Sequence, residues 1–132
     1  MTAEQINDKI EFCESAIDLM LTKSSFTIAQ LSEATGKTAS QIYSLFPNKK
    51  TILKYYYPSI VIRYSSMIEE IEDFDSYSIS EKLSNFIFTS FDMLDDRKEF
   101  VEDTFEKMVF KKGCNSEFHH EVTALFKHFF YY

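Results

Sequence analysis

Glycine, proline and cysteine each occur only twice in the 132 residues, and tryptophan does not occur at all. The scarcity of glycine and proline excludes collagen-like and low-complexity chains, and a hydrophobic content of 45% excludes a disordered one. Cys13 and Cys114 stand far apart and match no redox or metal motif, so we expect reduced thiols in a cytoplasmic protein. A disulfide between them is the less favoured alternative.

Long apolar runs and leader-like segments are also missing. No run of about 18 consecutive apolar residues occurs, so we expect no membrane partner. The first residues do not place a basic segment before an apolar one, so no signal peptide is predicted.

Motifs for catalysis, cofactor binding and metal binding are lacking as well. The sequence has no glycine-rich phosphate loop and no G-x-S-x-G motif. His119, His120 and His128 lie near Cys114 and Glu121, but at none of the usual spacings of metal ligands. The sequence therefore predicts neither an enzyme, nor a cofactor, nor a metal site.

Acidic residues dominate the chain, but unevenly. The net charge of the chain is −7. Between Thr22 and Tyr64, however, there are six lysine or arginine residues and only one acidic residue, which gives this stretch a net charge of +5. Residues 1–21 carry −4 and residues 65–132 carry −8. A positive stretch in an acidic chain favours a DNA-facing surface. The plainer interpretation is that acidic helices happen to lie elsewhere.

The positive stretch contains residues 27–53, which have the pattern of two short helices joined by a tight turn. Thr27 and Thr38 are suited to cap the two helices, because their hydroxyls can accept backbone N–H groups. Gly36 stands where a left-handed residue would end the first helix. The buried side of the second of these helices is predicted to comprise Ile42, Tyr43, Leu45 and Phe46. Asn48 can cap a longer helix that follows. This order predicts a helix-turn-helix that enters the major groove of DNA.

Apolar residues at three- and four-residue spacing predict helices elsewhere in the chain and no strand. The first helix is predicted from Ala3 to Leu21, with Thr2 as its cap. The fourth is predicted from Lys49 to about Glu72, with a kink around Lys54 to Tyr57 caused by Pro58. Further helices are predicted to begin at the caps Ser78, Asp96, and Asn115 or Ser116, and Gly113 is predicted to end the helix that begins at Asp96.

The predicted fold is therefore all-α. A three-helix helix-turn-helix DNA-binding domain occupies residues 1–50. Residues 51–132 form a long linking helix and a helical effector or dimerisation domain. The aromatic end of the chain, residues 129–132, is expected to be covered by another chain or by further helices.

The stretch 27–53 resembles the DNA-binding domain of TetR-family transcriptional regulators. The shared pattern is a capped second helix, a turn of the Ala-x-Gly type, a short third helix that ends Tyr-x-x-Phe, and a lysine that begins the fourth helix. These features are Thr27, Ala34-Thr35-Gly36, Tyr43-Ser44-Leu45-Phe46 and Lys49. The resemblance implies a cytoplasmic, ligand-responsive DNA-binding repressor.

The resemblance also implies a set of DNA contacts. Thr27, Tyr43 and Lys49 are implied to contact phosphates, which set the register on the duplex. The helix that reads the groove presents Thr38, Ala39, Ser40, Gln41 and Ser44, and a glutamine can pair with adenine. Because this helix contains no arginine or lysine, we expect double-stranded DNA to be bound by a homodimer.

The second domain of this family binds a small effector among its helices. Phe86, Phe91, Phe105 and Met108 would suit an apolar effector, although aromatic residues at helical spacing usually form core. A second functional hypothesis is a helical protein-interaction module that keeps the fold without DNA binding. The acidic C-terminal half and the cation-free reading helix favour that alternative.

Overall fold

The structure, a computed structural model, describes residues 1–111 and 115–131. Within these residues all regular secondary structure is helical, which confirms the predicted all-α class. The elements are α1 (Ala3–Lys23), α2 (Ile28–Thr35), α3 (Ala39–Leu45), α4 (Lys49–Lys54), α5 (Tyr56–Glu69), a 3-10 turn (Phe74–Ser76), α6 (Ile79–Asp96), α7 (Lys98–Phe105), a π-helical turn (Glu106–Phe110) and α8 (Ser116–Tyr131).

The chain divides into two compact units, the N-terminal unit Met1–Tyr56 and the C-terminal unit Tyr57–Tyr132. The predicted functional division between residues 50 and 51 stays a prediction. Gly113 as a helix end, and Cys114, lie outside the described residues.

Helix starts follow the predicted capping residues at five places. The hydroxyl of Thr2 accepts the Gln5 N–H at 3.1 Å, and the Gln5 side chain accepts the Thr2 N–H at 3.0 Å. The same reciprocal arrangement begins α2, α3, α4 and α6. Each box satisfies backbone donors that the first turn of a helix leaves without partners.

One of the predicted helix caps was wrong, and a second prediction had left two residues open. Asp96 does not cap α7, because Arg97 holds the N-cap position without a side-chain hydrogen bond. At the start of α8, by contrast, Asn115 Oδ1 accepts the Phe118 N–H at 3.1 Å, which selects Asn115 over Ser116 as the cap.

The predicted long fourth helix is two helices rather than one kinked helix. α4 ends at Lys54 and α5 begins at Tyr56, with Tyr55 between them at φ −63° and ψ −18°. Pro58 has no N–H to donate to the Lys54 carbonyl, and its ring crowds that carbonyl, so the regular hydrogen-bond ladder fails at the predicted place. α5 also ends at Glu69, three residues earlier than expected.

The core of the N-terminal unit takes four hydrophobic side chains from α1 and one each from α2, α3 and α4. The larger ones, each at most 1% exposed, are Phe12, Ile17, Leu31, Ile42 and Ile52. Burying an aliphatic or aromatic side chain of this size contributes about 2 kcal/mol. α1 packs against α2, α3 and α4, so it is the element that holds the short helices together.

The core of the C-terminal unit is aromatic and centres on Tyr64. The Tyr64 ring makes edge-to-face contacts with Phe86, at 5.1 Å between centroids, and with Phe129, at 6.5 Å. Its hydroxyl donates to Asn85 Oδ1 at 2.6 Å. Burial raises the pKa of Tyr64 to about 12. Burial disfavours the charged form of a phenol, so Tyr64 stays neutral to a higher pH in the folded protein than in the unfolded one.

Alkaline pH should therefore destabilise the C-terminal unit through Tyr64. The unfolded tyrosine ionises near pH 10 and the folded one near pH 12, so the stability that Tyr64 contributes is complete below pH 10 and is lost as the pH rises towards 12. Urea unfolding at a series of pH values should show a shallower loss over this interval for Tyr64→Phe than for the wild type. Parallel curves for the two proteins would contradict the assignment.

Candidate nucleic-acid interface

The α2–α3 segment is shaped by one left-handed glycine and one cap. Gly36 ends α2 with φ 71°, and its N–H donates to the Ser32 carbonyl at 2.9 Å. Nothing but glycine adopts this conformation without strain, apart from occasional asparagine or aspartate. Two residues later Thr38 caps α3, so only three residues separate the two helices.

α3 is held by its buried side and leaves its other side open. Ile42 is the one buried residue within α3 and is fully buried, and Phe46, directly after the helix, is nearly so. All eight side chains predicted to contact DNA are exposed and belong to the N-terminal unit: Thr27, Thr38, Ala39, Ser40, Gln41, Tyr43, Ser44 and Lys49.

Gln41 has a second role that sequence reasoning missed. Its Oε1 accepts the Thr38 N–H at 2.7 Å, while the Thr38 hydroxyl accepts the Gln41 N–H at 3.1 Å. Pairing with adenine requires the amide oxygen and nitrogen together. An amide oxygen has two lone pairs, so Gln41 can accept a second hydrogen bond only in a direction that the cap leaves open. The signal was present in the sequence as a Thr-x-x-Gln capping box.

Tyr43 is more exposed than the sequence suggested. The residue retains 53% of its surface, so its ring is not packed into the core as expected. Ser44, one residue on, donates from its hydroxyl to the Gln41 carbonyl at 2.6 Å. Tyr43 therefore presents both its ring and its hydroxyl to the surroundings.

Lys49 is held by the loop before α2. Its Nζ donates to the Phe26 carbonyl at 3.0 Å and lies 5.6 Å from the centroid of the Phe26 ring. This contact places the ammonium beside the backbone that leads into Thr27, another predicted phosphate contact. α4, which begins at Lys49, has only six residues, so its dipole adds less than the long helix predicted from the sequence would have added.

The electrostatic balance of the N-terminal unit differs from the +5 of residues 22–64. α1 belongs to the same compact unit and brings five carboxylates, so the unit has six lysines and six acidic residues. Lys37 Nζ lies 3.9 Å from Asp8 Oδ1, and Lys9 is buried with its Nζ 4.2 Å from the centroid of the Tyr55 ring. The unit as a whole is therefore formally neutral.

The four residues predicted to line an effector site lie in different surroundings. Phe86 packs against Tyr64 and, at 5.7 Å, against Phe126. Phe105 contacts the Tyr57 ring at 5.7 Å, Met108 is partly buried, and Phe91 is 62% exposed. A cavity of about 500 Å³ lies in the same unit between α5, the 3-10 turn and α8, and none of the four lines it.

Residues 1–111 and 115–131 contain neither a candidate metal site nor a candidate membrane-spanning helix. No group of three or more histidine, cysteine, aspartate or glutamate side chains there could hold a metal ion. None of the helices in the same residues is long and apolar enough to cross a membrane.

Comparison with known proteins yields no relative. No protein-family model, curated protein or solved structure matches the chain. The resemblance to TetR-family regulators consequently depends on residues 27–53 themselves and stays a prediction.

Proposed function

We propose that the protein is a DNA-binding transcriptional regulator of the TetR type, which acts as a homodimer and represses in a ligand-dependent way. The observation that carries the proposal is the α2–Gly36–α3 segment, whose short second helix is anchored by Ile42 and leaves exposed the side chains of Ala39, Ser40, Gln41, Tyr43 and Ser44. In a helix-turn-helix, the second helix enters the major groove while the first crosses the backbone.

Phosphate contact is supported by the position of Lys49 and Tyr43. The Lys49 ammonium is oriented by the Phe26 carbonyl, and the exposed Tyr43 hydroxyl can donate to a phosphate oxygen. Reading of bases would depend on Ser40 and on the part of Gln41 that the cap leaves available. Few base contacts per subunit favour a dimer, whose two reading helices must match half-sites about one helical turn apart.

A helical protein-interaction module is the second candidate. The formal neutrality of the N-terminal unit favours it, because non-specific DNA affinity comes mainly from lysine and arginine contacts with phosphates. The engagement of Gln41 in the cap favours it too.

The first proposal can be tested by selecting genomic DNA fragments that bind to the purified protein. Fluorescence anisotropy then measures the affinity of the protein and its variants for these fragments. Lys49→Ala should weaken binding and lower the slope of log affinity against log salt by about one. Tyr43→Phe should weaken binding about fivefold with an unchanged slope, because it removes a hydrogen bond and no charge. Lys127→Ala in the C-terminal unit removes the same charge as Lys49→Ala and is the control.

Two results would count against the first proposal. If Lys49→Ala and Lys127→Ala gave the same salt slope, Lys49 would not contact a phosphate. If no duplex bound even at low salt, the protein-interaction module would be the better proposal.

A further inference from the structure

The cavity of the C-terminal unit combines an apolar floor with an acidic rim. Its volume of about 500 Å³ is within the range of small-molecule sites, which is about 300–1,000 Å³. Its floor includes Ile68, Phe74 and Leu125, which also belong to the aromatic core of the unit. A ligand seated there would contact hydrophobic side chains on its inner side.

The rim carries four carboxylates from three parts of the chain. Glu69 ends α5, Glu72 follows it, Asp75 lies in the 3-10 turn, and Glu121 lies on α8. In sequence these residues are indistinguishable from ordinary solvated acids. Only the return of α8 beside the end of α5 gathers them around one opening.

The positive charges near the cavity are fewer. His128 Nε2 lies 3.8 Å from Asp75 Oδ1 and is charged only when protonated. The buried Lys82 Nζ lies 5.8 Å from the centroid of the Phe74 ring. Even if His128 and Lys82 are both positively charged, the four carboxylates leave the cavity with a net negative charge. The Phe74 ring already lies beside one ammonium group, that of Lys82.

The arrangement of the carboxylates does not suit a metal ion. A metal ion needs several oxygen or nitrogen ligands that converge on one point. No such group exists among residues 1–111 and 115–131, which include the whole rim. Carboxylates spread around an apolar floor match a larger ligand that has a cationic group and a hydrophobic body.

We infer that this cavity binds a small organic cation with an apolar body, such as an arylalkylamine. The carboxylates at the rim attract the ammonium group, and the floor receives the hydrocarbon. This ligand class differs from the neutral apolar effector expected from Phe86, Phe91, Phe105 and Met108. The inference goes beyond the proposed function and does not depend on it, because the binding is measured without DNA.

Isothermal titration calorimetry of the full chain with three probes of similar shape tests this inference. The probes are phenylbutylammonium, neutral phenylbutanol and anionic phenylbutyrate. The ammonium should bind about tenfold more tightly than the alcohol, and the carboxylate should bind more weakly than both. No binding of the ammonium, or equal affinity for the ammonium and the alcohol, would overturn the inference.

Two kinds of variant locate the site. Glu72→Gln combined with Glu121→Gln should weaken ammonium binding about fivefold and leave the alcohol unaffected. Glu99→Gln combined with Glu106→Gln changes the net charge by the same amount, but neither residue lines the cavity. This control should therefore change the affinity by less than about twofold.

Ala124→Trp fills the cavity from an exposed position, so it can block the ligand without removing a core side chain. It should weaken both the ammonium and the alcohol, with the circular dichroism spectrum unchanged. If Ala124→Trp left ammonium binding intact, or if the two double variants weakened it equally, the cation would bind elsewhere and the inference would be wrong.

Discussion

Alanine in place of Ile42 is expected to lower the free energy of unfolding of the N-terminal unit by about 3 kcal/mol. Ile42 is fully buried and is the one buried residue within α3. A helix of seven residues is not stable by itself in water, so its packing keeps it folded. Loss of the Ile42 side chain removes most of that packing and leaves a cavity beside α1 and α2.

Urea unfolding followed by circular dichroism measures this effect, and DNA binding should fall with it if α3 reads the groove. Ile87→Ala is the matched control, because the same change at a half-exposed isoleucine of α6 should cost less than about 1 kcal/mol. Equal losses for the two variants would show that Ile42 does not anchor α3. Ser40→Ala, on the exposed side of α3, should be nearly neutral for stability.

Alanine in place of Phe129 is expected to lower the free energy of unfolding of the C-terminal unit by about 4 kcal/mol. Phe129 is 2% exposed, and its ring contacts those of Tyr64, Phe74 and Phe126 at 5.8 to 6.5 Å between centroids. Truncation removes these aromatic contacts together with the buried area. Phe129 therefore ties α8 to the core.

The neighbouring phenylalanine provides the control for this experiment. Phe130 is 51% exposed, so Phe130→Ala should change the free energy of unfolding by less than about 1 kcal/mol. If the exposed terminal aromatics cover a second chain, Phe130→Ala should also weaken self-association in sedimentation equilibrium. Similar destabilisation by Phe129→Ala and Phe130→Ala would contradict the packing described for α8.

Helix starts were the most predictable part of this fold. Thr2, Thr27, Thr38, Asn48 and Ser78 each begin a helix as expected, because a capping box involves residues only three apart. The pattern failed at Asp96, because Arg97 rather than Asp96 holds the N-cap position of α7. The π-helical turn after α7 had no signal that we recognised.

The candidate interface was predicted in part. Exposure of Ala39, Ser40, Gln41 and Ser44 followed from the helical period, whereas exposure of Tyr43 did not. The partner of Lys49 did not follow, because the Phe26 carbonyl lies 23 residues away in the sequence. The near-neutral charge of the unit could have been counted from the predicted domain, residues 1–50, because that range already includes acidic α1.

The sequence by itself determined the helical class, five of the helix caps, the left-handed turn at Gly36 and the place where Pro58 disturbs the helix. Each of these depends on interactions within about four residues, which local patterns record. Only the tertiary structure decided that Lys49 is held by Phe26 and that α5 and α8 border an acidic cavity. These features join residues far apart in the chain, and their geometry is set by how the helices pack rather than by any local pattern.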